Sequence, residues 1–413
     1  MSDEIPPAFY RFDLNPTYLA ARALEEELFG SGLANPYFRM IEAVDGATAT
    51  IGGRSLINYA SYNYLGLSGD SRVSEAAIAA IERYGTSASA SRVASGERAV
   101  HRDLEAEIAD FLGVEDALAF VSGHATNVTV IGHLFGRKDL VLHDSLIHNS
   151  IQQGCLLSGA KRVTFPHNDW QALDRILAQH RRDYERVLIV IEGVYSMDGD
   201  IPDLPRFVAL RERYKTFLMI DEAHSLGVVG RTGRGLGEHF GVAPDDVDLW
   251  MGTLSKALAS CGGYIGGCRA LIDYLRYTAP GFLFSVGMSP PDAAAALAAL
   301  RVLRREPERV SDLQARCRLF LDLAKKAGID TGQSGQSAVI PVIIGDSRLA
   351  LGLSQALYEQ GIFALPIVHP AVSPRNARVR FFLTSQHTTD QIGLTVERLA
   401  KLINTGESTG PPA

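Results

Sequence analysis

The chain has 413 residues, of which 46% are hydrophobic and 21% are charged, and its formal net charge is −7. This composition excludes disorder, collagen and coiled coil, and the acidic balance argues against nucleic acid as a partner. No apolar run approaches the roughly 18 residues of a membrane-spanning helix, and the start MSDEIPPAFY lacks the features of a signal peptide. We therefore expect a cytoplasmic protein without a transmembrane segment.

The first 60 residues predict an N-terminal segment that precedes the main domain. Apolar spacing indicates one amphipathic helix over Tyr18–Phe29. The glycine-containing stretch Ala43–Tyr59 is typical of a hairpin.

Residues 61–290 predict a large α/β domain, because short apolar runs alternate with longer amphipathic ones. Helical spacing is clear over Val100–Phe111 and Leu204–Tyr214. Continuous β-branched runs separated by helices indicate a parallel sheet covered on both faces, with ligands at the carboxyl ends of its strands. The predicted strands are Ala117–Val121, Leu140–Leu142, Arg162–Phe165, Val187–Ile191, Phe217–Ile220 and Leu249–Gly252.

Residues 291–413 predict a smaller α+β domain packed on the first. An alanine-rich helix over Pro291–Arg304 opens it. The polar tail from Thr405 to Ala413 predicts a flexible terminus or the beginning of a linker. Between them lie the apolar run Ala338–Ile344, the helical run Leu349–Glu359, a proline-rich loop over Leu365–Pro374 and the run Arg378–Thr384.

The segment FLMIDEAH ends an apolar strand in Asp221 and places His224 on the following turn. A carboxylate at the end of a strand can hold a bound ring nitrogen protonated, while the nearby imidazole meets another edge of the ring. The same residues also suit an ordinary helix cap with a surface histidine. By themselves they leave both interpretations open.

Lys256 follows another apolar strand and lies among small residues in the segment MGTLSKA. A lysine in such a turn can form a Schiff base with a carbonyl cofactor, and the hydroxyls of Thr253 and Ser255 can bind a phosphate. Most lysines are solvated surface groups. The glycine-rich run Gly262–Gly267 favours the cofactor interpretation, because glycines allow close backbone approach.

Two more turns after strands are candidate ligand sites. Ser122–Asn127 combines a strand, a glycine and a helix N-terminus, which favours phosphate, although most such turns bind nothing. His148 can stack on a flat ring or can be a capping or core histidine. No GxGxxG motif follows a strand and no Walker lysine is present, so dinucleotide and ATP binding lack support. The four cysteines are scattered without a CxxC pair, which predicts buried thiols in a reducing compartment and no metal site.

Together, in this order and spacing, these segments resemble the α-oxoamine synthases, a family of pyridoxal-phosphate enzymes that includes serine palmitoyltransferase and 8-amino-7-oxononanoate synthase. The resemblance runs from about Asn58 to His387. It implies the aspartate-aminotransferase-like fold type I, with a large parallel-sheet domain, a small C-terminal α+β domain and an active site at the interface of a homodimer. It is densest in SYNYLGL (61–67), HRDLEAEIADFLG (101–113), HND (167–169), EGVYSMDGDIPDL (192–204), DEAHSLGVVGRTGRG (221–235), and GTLSKA with GGYIGG.

The resemblance implies roles for individual residues. Lys256 matches the lysine that binds the cofactor, Asp221 the partner of the pyridine nitrogen, His224 the residue near the phenolic oxygen and His148 the stacked histidine. These four are the expected catalytic residues. Cofactor binding is expected of the same four and of Gly123, His124, Ser196, Thr253, Ser255 and Ser285, the last acting on the phosphate in the neighbouring subunit. Substrate binding is expected of Tyr62, Asn63 and Arg380, whose fork suits the carboxylate of an amino acid.

The activity implied by the resemblance is a decarboxylative condensation of serine, alanine or glycine with an acyl thioester. The acyl donor is acyl-coenzyme A or an acyl carrier protein, and the products are an α-amino ketone, carbon dioxide and a free thiol. The pair Tyr62-Asn63 resembles the serine palmitoyltransferase branch. The pair Gly123-His124, where relatives carry glycine and an aromatic residue, resembles synthase modules of polyketide and fatty-acid assembly lines.

Two alternatives stay open at this point. An aminotransferase of the same fold would release a keto acid instead of an amino ketone. A non-catalytic subunit of a serine palmitoyltransferase-like complex would typically lack the lysine, whereas Lys256, Asp221 and His224 are all present.

Overall fold

The structure is a computed structural model that describes residues 5–30 and 32–405. The predicted flexible tail, from residue 406 onward, lies outside the described residues. The strands are β1 (Ala43–Asp45), β2 (Thr48–Ile51), β3 (Arg54–Asn58), β4 (Asp116–Phe120), β5 (Leu140–Asp144), β6 (Lys161–Phe165), β7 (Val187–Glu192), β8 (Phe217–Asp221), β9 (Leu249–Thr253), β10 (Gly263–Gly267), β11 (Val339–Ile343), β12 (Ile362–Phe363), β13 (Leu365–Ile367) and β14 (Arg378–Phe382).

Helices cover both faces of the sheets that these strands form. The helices are α1 (Pro16–Phe29), α2 (Ser71–Tyr84), α3 (Ala99–Leu112), α4 (Gly123–Leu134), α5 (Asn149–Ser158), α6 (Trp170–His180), α7 (Leu204–Tyr214), α8 (Leu236–Phe240), α9 (Arg269–Thr278), α10 (Pro280–Leu283), α11 (Pro290–Arg305), α12 (Glu308–Lys326), α13 (Ser347–Glu359) and α14 (Thr389–Thr405).

The central sheet, within the described residues, has seven strands in the order β4-β10-β9-β8-β7-β5-β6. Strands β9, β8, β7, β5 and β6 pair in parallel, as predicted. Side chains of β7 alternate between two cores: Leu188 and Val190 face one, and Ile189 and Ile191 face the other. A strand buried on both faces needs such a continuous apolar run, which is why the sequence revealed it.

The prediction of a wholly parallel sheet is wrong at one strand. The glycine-rich run after Cys261 forms β10, which pairs antiparallel with both β4 and β9. Glycine is depleted in strands, so the sequence pattern hid this strand. Here the missing side chains serve packing, because a Cβ on Gly263 would lie 2.6 Å from the Cα of Gly123 at the start of α4.

The carboxyl ends of the parallel strands bring polar side chains to one edge of the sheet. Strand β5 ends in Asp144, β7 in Glu192, β8 in Asp221 and β9 in Thr253. Glu192 and Asp221 are register partners on neighbouring strands. This edge is where an α/β sheet binds its ligands.

The N- and C-terminal parts share a sheet of order β1-β2-β3-β12, in which β12 pairs in parallel with β3. A second small sheet has the order β11-β14-β13, and α11 packs on α2 and α3. The division into 1–60, 61–290 and 291–413 stays a prediction, and the β3–β12 pairing crosses it. The proline-rich run at residues 365–374 was expected to be a loop, but its first residues form the edge strand β13.

Helix α1 begins at Pro16 and is capped by Asn15, whose side chain accepts hydrogen bonds from the backbone of Thr17 and Tyr18. None of its side chains is buried. In the part of the chain that the structure describes, no helix combines the length and apolarity needed to cross a membrane.

The prediction of buried thiols holds for two of the four cysteines. Cys155 and Cys317 are buried, whereas Cys261 and Cys268 are exposed. The described ranges contain no group of three or more His, Cys, Asp or Glu side chains placed to hold a metal ion.

We expect Gly263→Ala to lower the free energy of unfolding by about 1–3 kcal/mol, because the added methyl group would force α4 away from β10. Gly393→Ala in α14 is the matched control, since a Cβ there meets nothing within 4 Å. The control should be neutral or more stable by up to about 1 kcal/mol. Urea unfolding followed by circular dichroism measures both, and equal stability of the two variants would contradict the close packing.

Candidate active site

A cavity of about 380 Å³ opens at the carboxyl edge of the central sheet. This volume is in the range of small-molecule sites, about 300–1,000 Å³. The turns after β4, β5, β7, β8 and β9 line it, together with β14 of the C-terminal sheet. The predicted site residues that line it are Tyr62, Gly123, His124, His148, Ser196, Asp221, His224, Thr253, Ser255, Lys256 and Arg380.

Two of the predicted residues do not line this cavity. The Asn63 side chain accepts a hydrogen bond from the backbone N–H of Ser68 at 3.0 Å and donates one to its carbonyl at 3.3 Å, which holds its own loop. Ser285 donates to the Val286 carbonyl at 3.2 Å in the loop before α11. The roles assigned to these two residues stay predictions.

Asp221 is a buried carboxylate held by two donors. Asn127 Nδ2 donates to Oδ2 at 2.8 Å, and the backbone N–H of Ala223 donates to Oδ1 at 2.9 Å. No arginine or lysine forms an ion pair with Asp221 among the described residues. A buried carboxylate without a cation is costly, so this geometry favours a cationic ligand atom at Asp221.

A chain of hydrogen bonds links Asp221 to His148. Asn127 Nδ2 also contacts Ser150 Oγ at 2.9 Å, and that hydroxyl lies 2.7 Å from His148 Nδ1. His148 caps α5, with its backbone N–H donating to the carboxyl group of Glu192. The contacts therefore fix the imidazole of His148 over the cavity, where burial lowers its pKa.

Lys256 is half-buried beside the ring of Tyr62, with Nζ 5.5 Å from the ring centroid. Burial lowers the pKa of Lys256 to about 8, although the charges of Asp221 and Glu192 oppose that shift. A lysine with this pKa is partly neutral near pH 7 and can act as a nucleophile.

His224 is buried and has its Nδ1 2.7 Å from the hydroxyl of Tyr64. Its ring stacks on Phe382 at 6.3 Å between centroids and 10° between planes. Burial holds the pKa of His224 well below its usual range, and the nearby charges of Lys256 and Arg380 add to the effect. His224 is thus a neutral imidazole.

Arg380 reaches the cavity from β14, and one of its nitrogens is already engaged. Nη1 donates to the carbonyl of Ser196 at 2.8 Å. Nε is buried and has no acceptor in the described part of the chain. A buried guanidinium N–H without an acceptor favours an anionic ligand there.

Buried acidic side chains lie in the cavity wall, at Glu192, and close to it, at Asp144 and Asp200. His167 lies 3.0 Å from Asp144 and 2.8 Å from Asp200, and these hydrogen bonds outweigh burial and raise the pKa of His167 to about 10. Burial and the charge of Asp221 raise the pKa of Glu192 well above its ordinary value. Asp144 therefore has a cation beside it, and burial disfavours the charged form of Glu192.

The cavity also fits a phosphate at the N-terminus of α4. Ser122 Oγ accepts from the backbone N–H of Ala125 at 3.0 Å, while the N–H groups of Gly123 and His124 have no acceptor among the described residues. A side chain at position 123 would crowd Thr253, with a Cβ 3.1 Å from its Oγ1. The open backbone donors and the helix dipole favour a dianion at this point.

Four residues of the site were missed as individual residues, namely Asn127, Ser150, Glu192 and Tyr64. Asn127, Glu192 and Tyr64 lie inside sequence motifs described above, and Ser150 lies two residues after His148. Glu192 is the terminal residue of its strand, so its position on the ligand-binding edge was a usable signal. The contacts of Asn127 with Ser150 and Asp221 join three elements, and a pattern along the chain does not show such contacts.

Comparisons with known proteins give the family and the fold. Residues 54–399 match the family described as aminotransferase class I and II. The chain is 40% identical over 377 residues to 8-amino-7-oxononanoate synthase of Thermosipho melanesiensis, covering 91% of this chain and 95% of that protein.

Solved structures agree with this sequence relationship. The serine palmitoyltransferase of Sphingomonas wittichii has a TM-score of 0.92 at 31% identity, covering 95% of this chain and 99% of that one. A serine palmitoyltransferase of S. paucimobilis solved with bound PLP and myriocin has a TM-score of 0.91 at 29% identity, covering 94% and 98%. The predicted fold, that of the pyridoxal-phosphate-dependent aminotransferases, is confirmed.

The pKa of Lys256 predicts how its reactivity depends on pH. About one molecule in ten should carry a neutral Lys256 at pH 7, and nearly all should at pH 9, so the trapping rate should rise about tenfold and level off. Reductive trapping of pyridoxal phosphate on the cofactor-free protein, followed by peptide mass spectrometry, measures this rate.

Lys138 is the internal control, because its ion pair with Glu185 raises its pKa. Labelling of Lys138 should therefore keep rising above pH 9. A profile of Lys256 that is parallel to that of Lys138 would contradict the lowered pKa.

Proposed function

The chain belongs to the aminotransferase class I and II family and, within it, to the α-oxoamine synthases, and we propose how its own residues perform the family's reaction. The enzyme is a pyridoxal-phosphate-dependent acyltransferase that joins an amino acid to an acyl thioester with loss of carbon dioxide. One observation carries the assignment of residues: Lys256, Asp221 and Arg380 converge on one cavity, where Asp221 has no ion-pair partner among the described residues and the buried Nε of Arg380 has no acceptor.

Pyridoxal phosphate, when bound, supplies an aldehyde for covalent attachment and a ring that takes up the electron pair left at the α-carbon of the amino acid. Asp221 would hold the ring nitrogen protonated. The positive charge on that nitrogen would be the cation that the buried carboxylate of Asp221 lacks. Gly123, His124, Thr253 and Ser255 would hold the phosphate at the start of α4.

His148 and His224 would flank the ring from two directions. The contact of His148 with Ser150 and the stacking of His224 on Phe382 hold both imidazoles before any ligand enters. Such preorganisation means that no reorientation is needed during the reaction.

Lys256 would also move the proton of the α-carbon. With a pKa of about 8, a fraction of Lys256 is neutral near pH 7, and a neutral amine can accept a proton and later return it. The aromatic ring of Tyr62 beside Nζ shields this amine from water.

Arg380 and Ser196 would set the position of the amino acid. The free Nε–H of Arg380 can donate to one oxygen of the substrate carboxylate, and the bond from Nη1 to Ser196 fixes the guanidinium plane. The cavity volume fits a cofactor with a small amino acid, so serine, alanine and glycine are the proposed substrates. The acyl donor is proposed to be acyl-coenzyme A or an acyl carrier protein, which places the enzyme in lipid or polyketide biosynthesis.

The test of the proposed function is product analysis by mass spectrometry. The protein loaded with pyridoxal phosphate is incubated with each of the three amino acids against acyl-coenzyme A and acyl-carrier-protein thioesters. An α-amino ketone from one combination is expected, and Lys256→Ala should abolish it. A keto acid, or no amino ketone from any combination, would instead favour the aminotransferase.

Arg380→Lys should raise the KM for the amino acid about 10- to 100-fold. Lysine keeps the positive charge but lacks the paired N–H donors with which a guanidinium group binds both oxygens of a carboxylate. Arg375→Ala changes an exposed arginine of the same region and serves as control. Steady-state kinetics with the amino acid varied measures both. An unchanged KM in Arg380→Lys would remove Arg380 from the substrate site.

We also propose that the enzyme is a homodimer whose interface lies beside the cavity. Apolar side chains near the cavity are exposed: Phe284 is 86% exposed and Val286 52%, next to Ser285. Val121, directly before the Ser122 turn, and Leu146, two residues before His148, are exposed as well. Val121 and Val286 line one small pocket, and exposed apolar side chains that gather in this way are typical of a protein interface.

Light scattering should give twice the chain mass for the wild-type protein. Phe284→Asp should lower the measured mass toward that of the monomer, because the dimer interface would bury an unpaired charge. Ile403→Asp on α14 is the control and should stay a dimer. A monomeric wild type would refute the proposed interface and the expected role of Ser285.

A further inference from the structure

Tyr64 and His224 form a hydrogen-bonded pair, and the proposed reaction gives no role to Tyr64. The Tyr64 hydroxyl lies 2.7 Å from His224 Nδ1, and the tyrosine is fully buried in the main hydrophobic core. His224 lines the cavity on its other side. The pair therefore connects the core to the site.

The hydrogen-bond partners available to the Tyr64 hydroxyl determine whether it donates to His224 Nδ1 or accepts from it. Among the described residues, the Tyr64 hydroxyl has no hydrogen-bonding contact other than His224 Nδ1. If Nδ1 carried the proton and donated to the tyrosine oxygen, the phenolic O–H would be buried without an acceptor. Buried donors without acceptors are rare in folded proteins, so the phenol donates and Nδ1 accepts.

Both groups are neutral, as this arrangement requires. Burial raises the pKa of Tyr64 well above its ordinary value, and burial lowers that of His224. A neutral imidazole has one protonated nitrogen. With Nδ1 accepting, the proton lies on Nε2, which has no partner among the described residues.

We infer that Tyr64 is a positioning residue that holds His224 as the Nε2–H tautomer and so presents a single N–H donor to the cavity. The ring plane is fixed by Phe382, stacked at 10°, and by Tyr62, which meets the imidazole edge-on at 5.8 Å. Ring plane and tautomer together give that donor one direction. Its acceptor is an electron-rich oxygen of the bound cofactor or substrate, and this last step alone rests on the proposed function.

The direct test is nitrogen NMR of the full chain labelled with ¹⁵N-histidine, first without and then with pyridoxal phosphate. The His224→Gln spectrum identifies the resonances of His224 by their loss. We expect an unprotonated Nδ1 and a protonated Nε2 in the wild-type protein. A protonated Nδ1 would overturn the inference without any variant of Tyr64.

Tyr64→Phe removes the donor and keeps the ring. The Nδ1 resonance should then move toward that of a free unprotonated nitrogen, while Nε2 moves less. Tyr59→Phe is the matched control, because Tyr59 is equally buried in the same core and does not contact His224. It should leave both resonances in place, and an unmoved Nδ1 in Tyr64→Phe would contradict the inference.

Kinetics and absorbance distinguish positioning from a structural role. Tyr64→Phe should lower kcat about tenfold, the effect of one lost hydrogen bond, with little change in KM. The absorbance of the bound cofactor should shift in Tyr64→Phe and stay unchanged in Tyr59→Phe. If the tautomer is found and no amino ketone forms, the proposed function fails while the inference about Tyr64 stands.

Discussion

The buried carboxylate of Asp221 is the constraint on which the rest of the site depends. A buried charge at the carboxyl end of β8 destabilises the folded protein unless hydrogen-bond donors and a cation surround it. Asn127 and the backbone of Ala223 supply the donors, and the same amide of Asn127 extends through Ser150 to His148. Three elements, β8, α4 and α5, are thereby positioned around one oxygen pair, and the proposed function assigns the missing cation to the ligand.

A second constraint joins the C-terminal sheet to the cavity. From β14, Arg378 donates to the carbonyl of Met197 and to Asp198, and Arg380 donates to the carbonyl of Ser196. Strand β14 therefore holds the loop after β7. The same strand supplies Arg380, which is proposed to bind the carboxylate of the substrate. Arg378 and Arg380 thus tie β14 to the loop after β7 at the side of the cavity where the substrate carboxylate is proposed to bind.

Much of this architecture was predictable from the sequence, and the exceptions have physical causes. Strands β5, β7, β8 and β9 were found because burial on both faces demands continuous apolar runs. Strand β10 was missed because glycine is depleted in strands, and at Gly263 the missing side chain is what lets α4 approach. Strand β13 was missed because proline is typical of loops, and at a sheet edge it needs no ladder hydrogen bond.

The sequence by itself determined the family and the cofactor, and it predicted site residues such as Lys256, Asp221 and His224 from their positions at or after the ends of recognisable strands. Only the tertiary structure decided which hydrogen bonds these side chains form and which protonation state each of them favours. Long-range contacts such as Tyr64 with His224, 160 residues apart, set a tautomer, and burial sets the pKa of Lys256. Desolvation and hydrogen bonding depend on every group packed around an atom, and that environment exists only after the chain has folded.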